Sequence, residues 1–401
     1  MLFKNRLQDW SFSAVIAGFV AVLVGYTSSA AIVFQAAEAA GANLAQIGSW
    51  FTMLGFGMGV TGIALSLYYR TPIVTAWSTP GAALLVTSLP GTSLNDAIGV
   101  FVFASGLILL SGVTGLFAKM MRYIPQALSA AMLAGILLRF GLDAFVSLQT
   151  NLLLAGGMCL TYLIARRLIA RYSVILSLCV GLAIAAWQGD IAFHGQAVHF
   201  AAPEFIMPHF SWEKLVGIGL PFFVVSMASQ NAPGIATLHA SGFKVPVSPL
   251  ITVTALLALI LAPFGVYSIG IAAITAAICM GKDVHPDPNK RYTAAVAAGV
   301  FYLLAGVMGG SIGTLFTALP APLIHTVAGL ALLGTISGSL YRALTEEKQR
   351  DAAIVTFLIT ASGIQLFGVG SAFWGLIGGV LTHGILSLPE KNQEKISNPR
   401  S

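Results

Sequence analysis

The stretch TPIVTAWSTPGAALLVTS, residues 71–88, decides how this chain is read. It is apolar enough to lie in a membrane, yet it does not read as one helix. Thr71, Ile73, Val74 and Thr75 favour extended backbone, and Pro80 has no N–H to give to a helical ladder. With residues 71–78 extended and 81–88 helical, the two pieces reach roughly 38 Å. That crosses a hydrocarbon core of about 30 Å, with the junction near its middle. Broken backbone facing lipid at that depth is not tolerated, so it must be buried in protein or line a cavity. A second stretch, FGVYSIGIAAIT at 264–275, reads the same way, extended over 264–269 with a half-helix from Gly270. Extended pieces from opposite halves can pair. Each half-helix then points its positive N-terminal end at one midplane space, a geometry that suits an anion. An ordinary Pro-kinked helix is the competing reading of residues 71–88.

The rest of the chain fits that setting. Its 401 residues are 57% hydrophobic and only 8% charged, with a mean hydropathy of +0.87. A soluble domain carries about a quarter charged residues, so a water-soluble surface, a disordered chain, a coiled coil and a disulfide scaffold are all excluded. Breaks in the apolar runs give an all-α polytopic membrane protein of about fourteen spans. They fall near 12–38, 44–69, 71–88, 95–117, 124–141, 151–166, 172–188, 213–238, 247–263, 264–280, 292–313, 320–339, 352–368 and 370–388. The first run is too long for a cleaved signal and reads as a retained span.

Charge supports the count. With Lys4 and Arg6 on the cytoplasmic side, 18 of the 20 Lys and Arg residues fall there, as the positive-inside rule requires. Lys214 is external and Arg139 lies within a span. Both chain ends are then cytoplasmic in a bacterial-type inner membrane. Trp10, Trp50, Trp187, Trp212 and Trp374 fall near span ends, as in an aromatic belt. Cys159, Cys179 and Cys279 read as small core residues at no metal spacing.

Two echoes suggest an internal repeat. AWSTPGAALL (76–85) aligns with VYSIGIAAIT (266–275), setting Trp77 opposite Tyr267. IPQALSAAMLAG (124–135) aligns with LPAPLIHTVAG (319–329) at a slightly larger offset. Seven spans per half is odd, so the halves insert with opposite topology, as in secondary transporters. The repeats are 1–206 and 207–401.

The segments TAWSTPGAALL, SQNAPGIA, GVYSIGIAAITAAI, AAMLAGILLRFG and GSAFWGLI together resemble the benzoate/proton symporter family, BenE, over essentially the whole chain. At fold level the chain also resembles the nucleobase–cation symporters, such as the uracil transporter, and the sulfate/bicarbonate exchangers. The resemblance implies fourteen segments in two inverted repeats of seven. It implies a core domain of about 12–117 and 213–313, and a gate domain of about 124–188 and 320–388. Substrate is then held between spans 3 and 10, the core moves like an elevator against the gate, and the protein is often a homodimer.

The candidate substrate residues follow. Gln230 and Asn231 are adjacent amides deep in span 8, costly there unless partnered. The nucleobase transporters place a carboxylate in this stretch, which would repel an aromatic acid; amides here favour an anion. Interhelical glue is their competing role. Trp77 and Tyr267 are the deep aromatics able to stack on a ring, with core packing the competing role for Trp77. Ser78, Thr79, Ser268 and the backbone N–H groups of Gly81, Gly270 and Ile271 are candidates for a carboxylate. Tyr26, Ser28 and Ser29 occupy the equivalent place in span 1, where small hydroxyls also serve packing.

Proton-coupling candidates are Glu38, otherwise an interface residue, and Asp143 with Arg139, a pair on one helix face. His325 has a suitable titration range, although a lone His is often structural.

No P-loop, catalytic constellation, cofactor motif or paired metal spacing appears, so an enzyme and an ATP-driven pump are not expected. GFGMG, residues 55–59, reads as a close helix contact. The sequence therefore reads as a secondary transporter importing benzoate or a similar aromatic carboxylate with a proton. The alternatives are a nucleobase or inorganic-anion carrier, or an anion channel on the same fold.

Overall fold

The computed structural model describes residues 9–116, 126–191, 200–282, 284–366 and 369–387. Lys4, Arg6, Lys119, Arg122, Lys391, Lys395, Arg400 and the span ends at 117, 124, 368 and 388 lie outside the described residues. The first half contains α1 (Phe12–Ala39), α2 (Leu44–Tyr69), β1 (Thr75–Ala76), α3 (Thr79–Ser88), α4 (Leu94–Val113), α5 (Gln126–Thr150), α6 (Leu152–Leu168) and α7 (Ser173–Gln188). The second contains α8 (Trp212–His239), α9 (Val247–Leu261), β2 (Gly270–Ile271), α10 (Ile274–Met280), α11 (Tyr292–Val307) and α12 (Gly309–Ala318). It ends with α13 (Ala321–Thr345), α14 (Arg350–Ser362), β3 (Gln365–Leu366), β4 (Val369–Gly370) and α15 (Ser371–Leu386). Among the described residues seven helical runs are long and apolar enough to cross a membrane, and the bent pair α11–α12 makes an eighth.

Local chemistry sets the starts. Ser11 caps α1 by accepting the Ala14 N–H at 3.0 Å. Asn43 and Gln46 form a reciprocal capping box on α2. Ser93 caps α4. α8 is one helical run that widens into π turns at Leu215–Gly219 and Met227–Asn231. The second π turn contains the adjacent amides, in keeping with the tendency of such bulges to mark functional sites.

Long helices pack in cross-half pairs: α2 along α11, α4 along α9, and α5 along α13. α1 runs beside α3, α10 and α11, while α14 packs on α5 and α15. The α2–α11 contact is backbone to backbone. A Cβ at Gly55 would stand 2.6 Å from Gly306 Cα and 2.7 Å from the Tyr302 carbonyl oxygen, so the GFGMG run is a close helix contact.

Several expectations are corrected. Element starts recur between the halves in one constant register: Thr75 and Gly270 begin β1 and β2, Thr79 and Ile274 begin α3 and α10, Gln126 and Ala321 begin α5 and α13. In that register Ala272, not Tyr267, takes the place of Trp77. The half-helix of span 10 starts at Ile274 because Gly270 and Ile271 are used as strand. Span 5 runs on to Thr150. Span 11 stops at Val307, where the chain bends by 68°. Trp50 is not a belt residue. It is fully buried, with its ring over the Gly265 turn and edge-on to Phe101. Cys159 and Cys279 are buried, but Cys179 is exposed on α7.

The glycine contact generates a test. Gly55→Ala should lower the thermal unfolding midpoint in detergent, by the equivalent of about 1–3 kcal/mol for overpacking. Gly106→Ala, on α4 with open space around its would-be Cβ, should leave the midpoint unchanged or raise it slightly. Equal behaviour of the two variants would exclude the close contact.

Candidate functional site

β1 and β2 pair antiparallel, Thr75 opposite Ile271 and Ala76 opposite Gly270. The Ala272 N–H extends the ladder to the Val74 carbonyl at 2.9 Å. Such a short ribbon leaves much of the surrounding backbone unpaired, and buried backbone groups need partners. α2 supplies them to the first segment. Ser66 Oγ donates to the Ile73 carbonyl at 2.9 Å and accepts its N–H at 3.2 Å. Thr75 Oγ1 reaches the Met58 carbonyl at 2.7 Å and lies 2.9 Å from Thr61 Oγ1. The Trp77 N–H points at Met58 Sδ, 3.0 Å away. Met58, Thr61 and Ser66 carry no motif. Their one sequence signal is two hydroxyls and a thioether at near-helical spacing in an apolar run.

α8 serves the second segment. Asn231 Oδ1 accepts the Ile271 N–H at 3.0 Å, and Gln230 Nε2 donates to the Ile271 carbonyl at 3.4 Å. The two amides bracket one residue's backbone. Close approach is possible because position 234 lacks a side chain: a Cβ there would sit 2.3 Å from the Ile271 carbonyl oxygen. Asn231 Nδ2 turns back to the Ser226 carbonyl at 3.4 Å. Asn231 is buried, while Gln230 keeps partial exposure.

Helix α3 starts where the sequence marks it. Ser78 accepts the Gly81 N–H at 3.0 Å, and Pro80 stands in the first turn, where no N–H is needed. α10 has no side-chain cap at its start. Its far end is held by Arg291, which donates to the Met280 carbonyl at 2.9 Å and the His285 carbonyl at 2.8 Å. A cation is well placed at a helix C-terminus.

These bonds divide the expected site residues. The N–H groups of Gly81 and Ile271 are committed to Ser78 and Asn231, so they hold the site's shape and are not spare donors for a carboxylate. Ser78, Ser268, Gly270 and Ile271 are buried. Tyr267 is fully enclosed by Trp50, Phe101 and Phe222, so its ring packs on protein. Trp77, 3% exposed, donates from Nε1 to Ser29 Oγ at 2.8 Å. It meets Tyr26 edge-on, with centroids 4.8 Å apart. Tyr26, Ser28, Thr79 and Gln230 keep partial exposure. Among the described residues the Tyr26 hydroxyl is buried without a hydrogen-bond partner.

The proposed proton handlers lie elsewhere. Arg139, Asp143 and His325 line one cavity of about 550 Å³ with Gln35, beyond the C-terminal end of α3. Glu38 is exposed near the end of α1 and is not among the residues lining that cavity.

A many-helix membrane fold around a strand-paired centre fits a multi-pass membrane transporter, and the comparisons show that class. The chain belongs to the benzoate membrane transport protein family, whose model matches residues 8–385. It is 56% identical to the inner membrane protein YdcO of Escherichia coli K12 over 374 residues, 93% of this chain and 96% of that one. It is 44% identical to the benzoate membrane transport protein of Acinetobacter baylyi over 389 residues, 97% of this chain and 99% of that one. Among solved structures, SLC26A9 matches with a TM-score of 0.62 at 13% identity, covering 95% of this chain and 66% of that one. The transmembrane domain of the cyanobacterial bicarbonate transporter BicA matches with 0.57 at 12%, covering 92% and 97%. At such identities the likeness is one of fold.

The two tryptophan contacts can be separated. Trp77→Phe keeps an aromatic ring but loses the bond to Ser29, and should cost about 1 kcal/mol. Trp77→Ala should cost about 3–5 kcal/mol through the cavity it leaves. Thermal unfolding in detergent reads both, and equal losses would make the Nε1 bond the dominant contact.

Proposed function

We propose that this protein imports benzoate or a similar aromatic carboxylate together with a proton, as an inner-membrane secondary transporter. The observation that carries the reading is the β1–β2 ribbon, which brings the starts of α3 and α10 together beside half-buried Tyr26, Thr79 and Gln230. Backbone irregularity in an apolar fold is tolerated where it lines a cavity. Broken helices at a repeat interface mark binding sites in transporters. The names of the family and of the relative from Acinetobacter baylyi supply the substrate class.

In this reading the fold has fourteen spans in two inverted repeats, 1–206 and 207–401, with spans 3 and 10 each built from a strand and a half-helix. The constant register of element starts between the halves supports the repeat. Helices of about 12–117 and 213–313 form the core, and those of 124–188 and 320–388 form the gate against which the core moves, within a homodimer. The cross-half pairs α2–α11 and α5–α13 each stay inside one of these groups. Chain ends are cytoplasmic. Asp9 supports this by drawing together Arg70 at 3.5 Å, Lys290 at 3.8 Å and the Tyr292 hydroxyl at 2.9 Å, which puts basic loops from both halves on one side.

At the centre Gln230 and Thr79 meet the carboxylate, with Ser28 and the Tyr26 hydroxyl beside them, while the Trp77 ring forms part of the apolar wall. Asn231, Ser78, Gly81, Gly270, Ile271, Ser29, Tyr267 and Ser268 position these groups. Asp143 and His325, with Arg139 and Glu38, are the groups proposed to handle the proton.

Radiolabelled benzoate uptake into proteoliposomes, outside acidic, tests this against protein-free liposomes, because benzoic acid crosses bilayers unaided. Saturable, protein-dependent accumulation that a protonophore collapses is expected. Gln230→Ala should reduce it at least tenfold at equal protein level, about 1.4 kcal/mol or more. Protein-dependent uptake of bicarbonate, sulfate or uracil in its place would overturn the substrate assignment.

A further inference from the structure

The cavity beyond the end of α3 has a wall that is partly apolar (Val86, Phe140, Val146) and partly polar (Gln35, Arg139, His325). Its volume of about 550 Å³ is within the range of small-molecule sites. Three observations give it an anionic occupant.

Arg139 faces the cavity with its donors uncommitted. The Asp143 carboxylate oxygen is 3.9 Å from its Nε, beyond hydrogen-bond reach. Among the described residues Arg139 makes no hydrogen bond. Its side chain is 77% exposed and that of Asp143 44%, and an ion pair so exposed holds a guanidinium weakly. Among the described residues Gln35 Nε2, buried in the same wall, has no acceptor. A buried donor left unmet is costly, and an incoming acceptor recovers that cost.

The third observation is continuity with the central site. Gln35 follows Ser28 by two turns along one face of α1. Thr87 lines the cavity at the far end of α3, whose first turn holds Thr79. The rise between those threonines is about 12 Å.

We propose that this cavity is a docking subsite for a small organic monocarboxylate. Arg139 and Gln35 hold the carboxylate, and Val86, Phe140 and Val146 face the apolar body. Asp143 is the resting counter-ion of Arg139, which the substrate carboxylate displaces. The occupant then passes along α1 and α3 to the central site. This subsite rests on the transport reading above and adds a second station to it.

The test uses full-length protein and benzoate as probe, in two arms: initial-rate uptake into proteoliposomes and equilibrium binding in detergent. Arg139→Gln should raise KM and weaken binding about tenfold. Arg139→Lys should fall between, since it keeps the charge but not the fork. Gln35→Leu should raise KM in the same direction. If Arg139→Gln does not incorporate, the other two variants carry the same expectation. Wild-type KM and binding in the variants would overturn the subsite. So would a reduced maximal rate at unchanged KM, which marks a gating or structural role. Wild-type protein that binds benzoate through Arg139 but takes none up would remove the transport reading and leave the subsite. Wild-type protein that neither binds benzoate nor takes it up would remove both.

Discussion

The structure depends on satisfying the backbone of one residue. Ile271 lies at the centre of an apolar fold, where an unmet N–H or carbonyl has no water to turn to. Its N–H goes to Asn231 and its carbonyl to Gln230. Its opposite number across the ribbon, Thr75, is held by Met58 and Thr61. The chain can leave the helical ladder here only because two neighbouring helices carry groups that replace it. α8 supplies amides and α2 supplies hydroxyls, so each extended segment is completed by its own half of the chain. The ribbon itself joins the halves.

That arrangement separates shape from contact. Groups that look most like ligands in the sequence, such as the N–H groups of Gly81 and Ile271, are already bonded within the protein. They fix the directions of α3 and the ribbon from within the protein, and such preorganisation would lower the ordering cost of binding at the proposed site. The residues left half-open are fewer and chemically mixed: a phenol, two hydroxyls and one amide. Trp77 belongs to both sets. Its indole N–H is tied to Ser29 on α1, and its ring packs against Tyr26.

Much of this is legible in the sequence, for physical reasons. Long apolar runs dictate long helices, and Pro80 after a β-favouring stretch marks the start of α3. The start of α10 is not legible. No proline or side-chain cap stands there, and Gly270 reads as a helix opening although its backbone is used in the ribbon. The echo that sets Trp77 opposite Tyr267 reads five residues out of the register shared by the element starts, because Ala, Gly and Ile recur often enough to align by chance. Only the element starts, Thr75 with Gly270 and Thr79 with Ile274, fix it. Asn231 and Gln230 are legible as important, since adjacent amides in an apolar span are unfavourable without partners. Their geometry is not, because sequence cannot say whether an amide faces a ligand or a peptide. Met58, Thr61 and Ser66 give no such signal. Single hydroxyls in apolar helices usually bond their own preceding turn, as Thr61 also does to the Gly57 carbonyl.

The placement of the charged residues bears on how such a centre would work. The bonds described around the ribbon come from neutral side chains, and Arg139, Asp143 and His325 stand together about one short helix away. A fixed charge beside the ribbon would need a partner in a poorly solvated space, and its field would hold an anion too tightly to release. Neutral donors bind a carboxylate less strongly and let it leave. In the proposed subsite, a cation placed nearer solvent and screened by its own Asp143 would draw an anion in and hold it only loosely. The cavity lies between α1 and α3 on one side and α5 and α13 on the other. Sliding the first pair past the second would therefore change the distance from Arg139 to Gln35 while leaving the ribbon intact, because both its strands move with the helices that satisfy them.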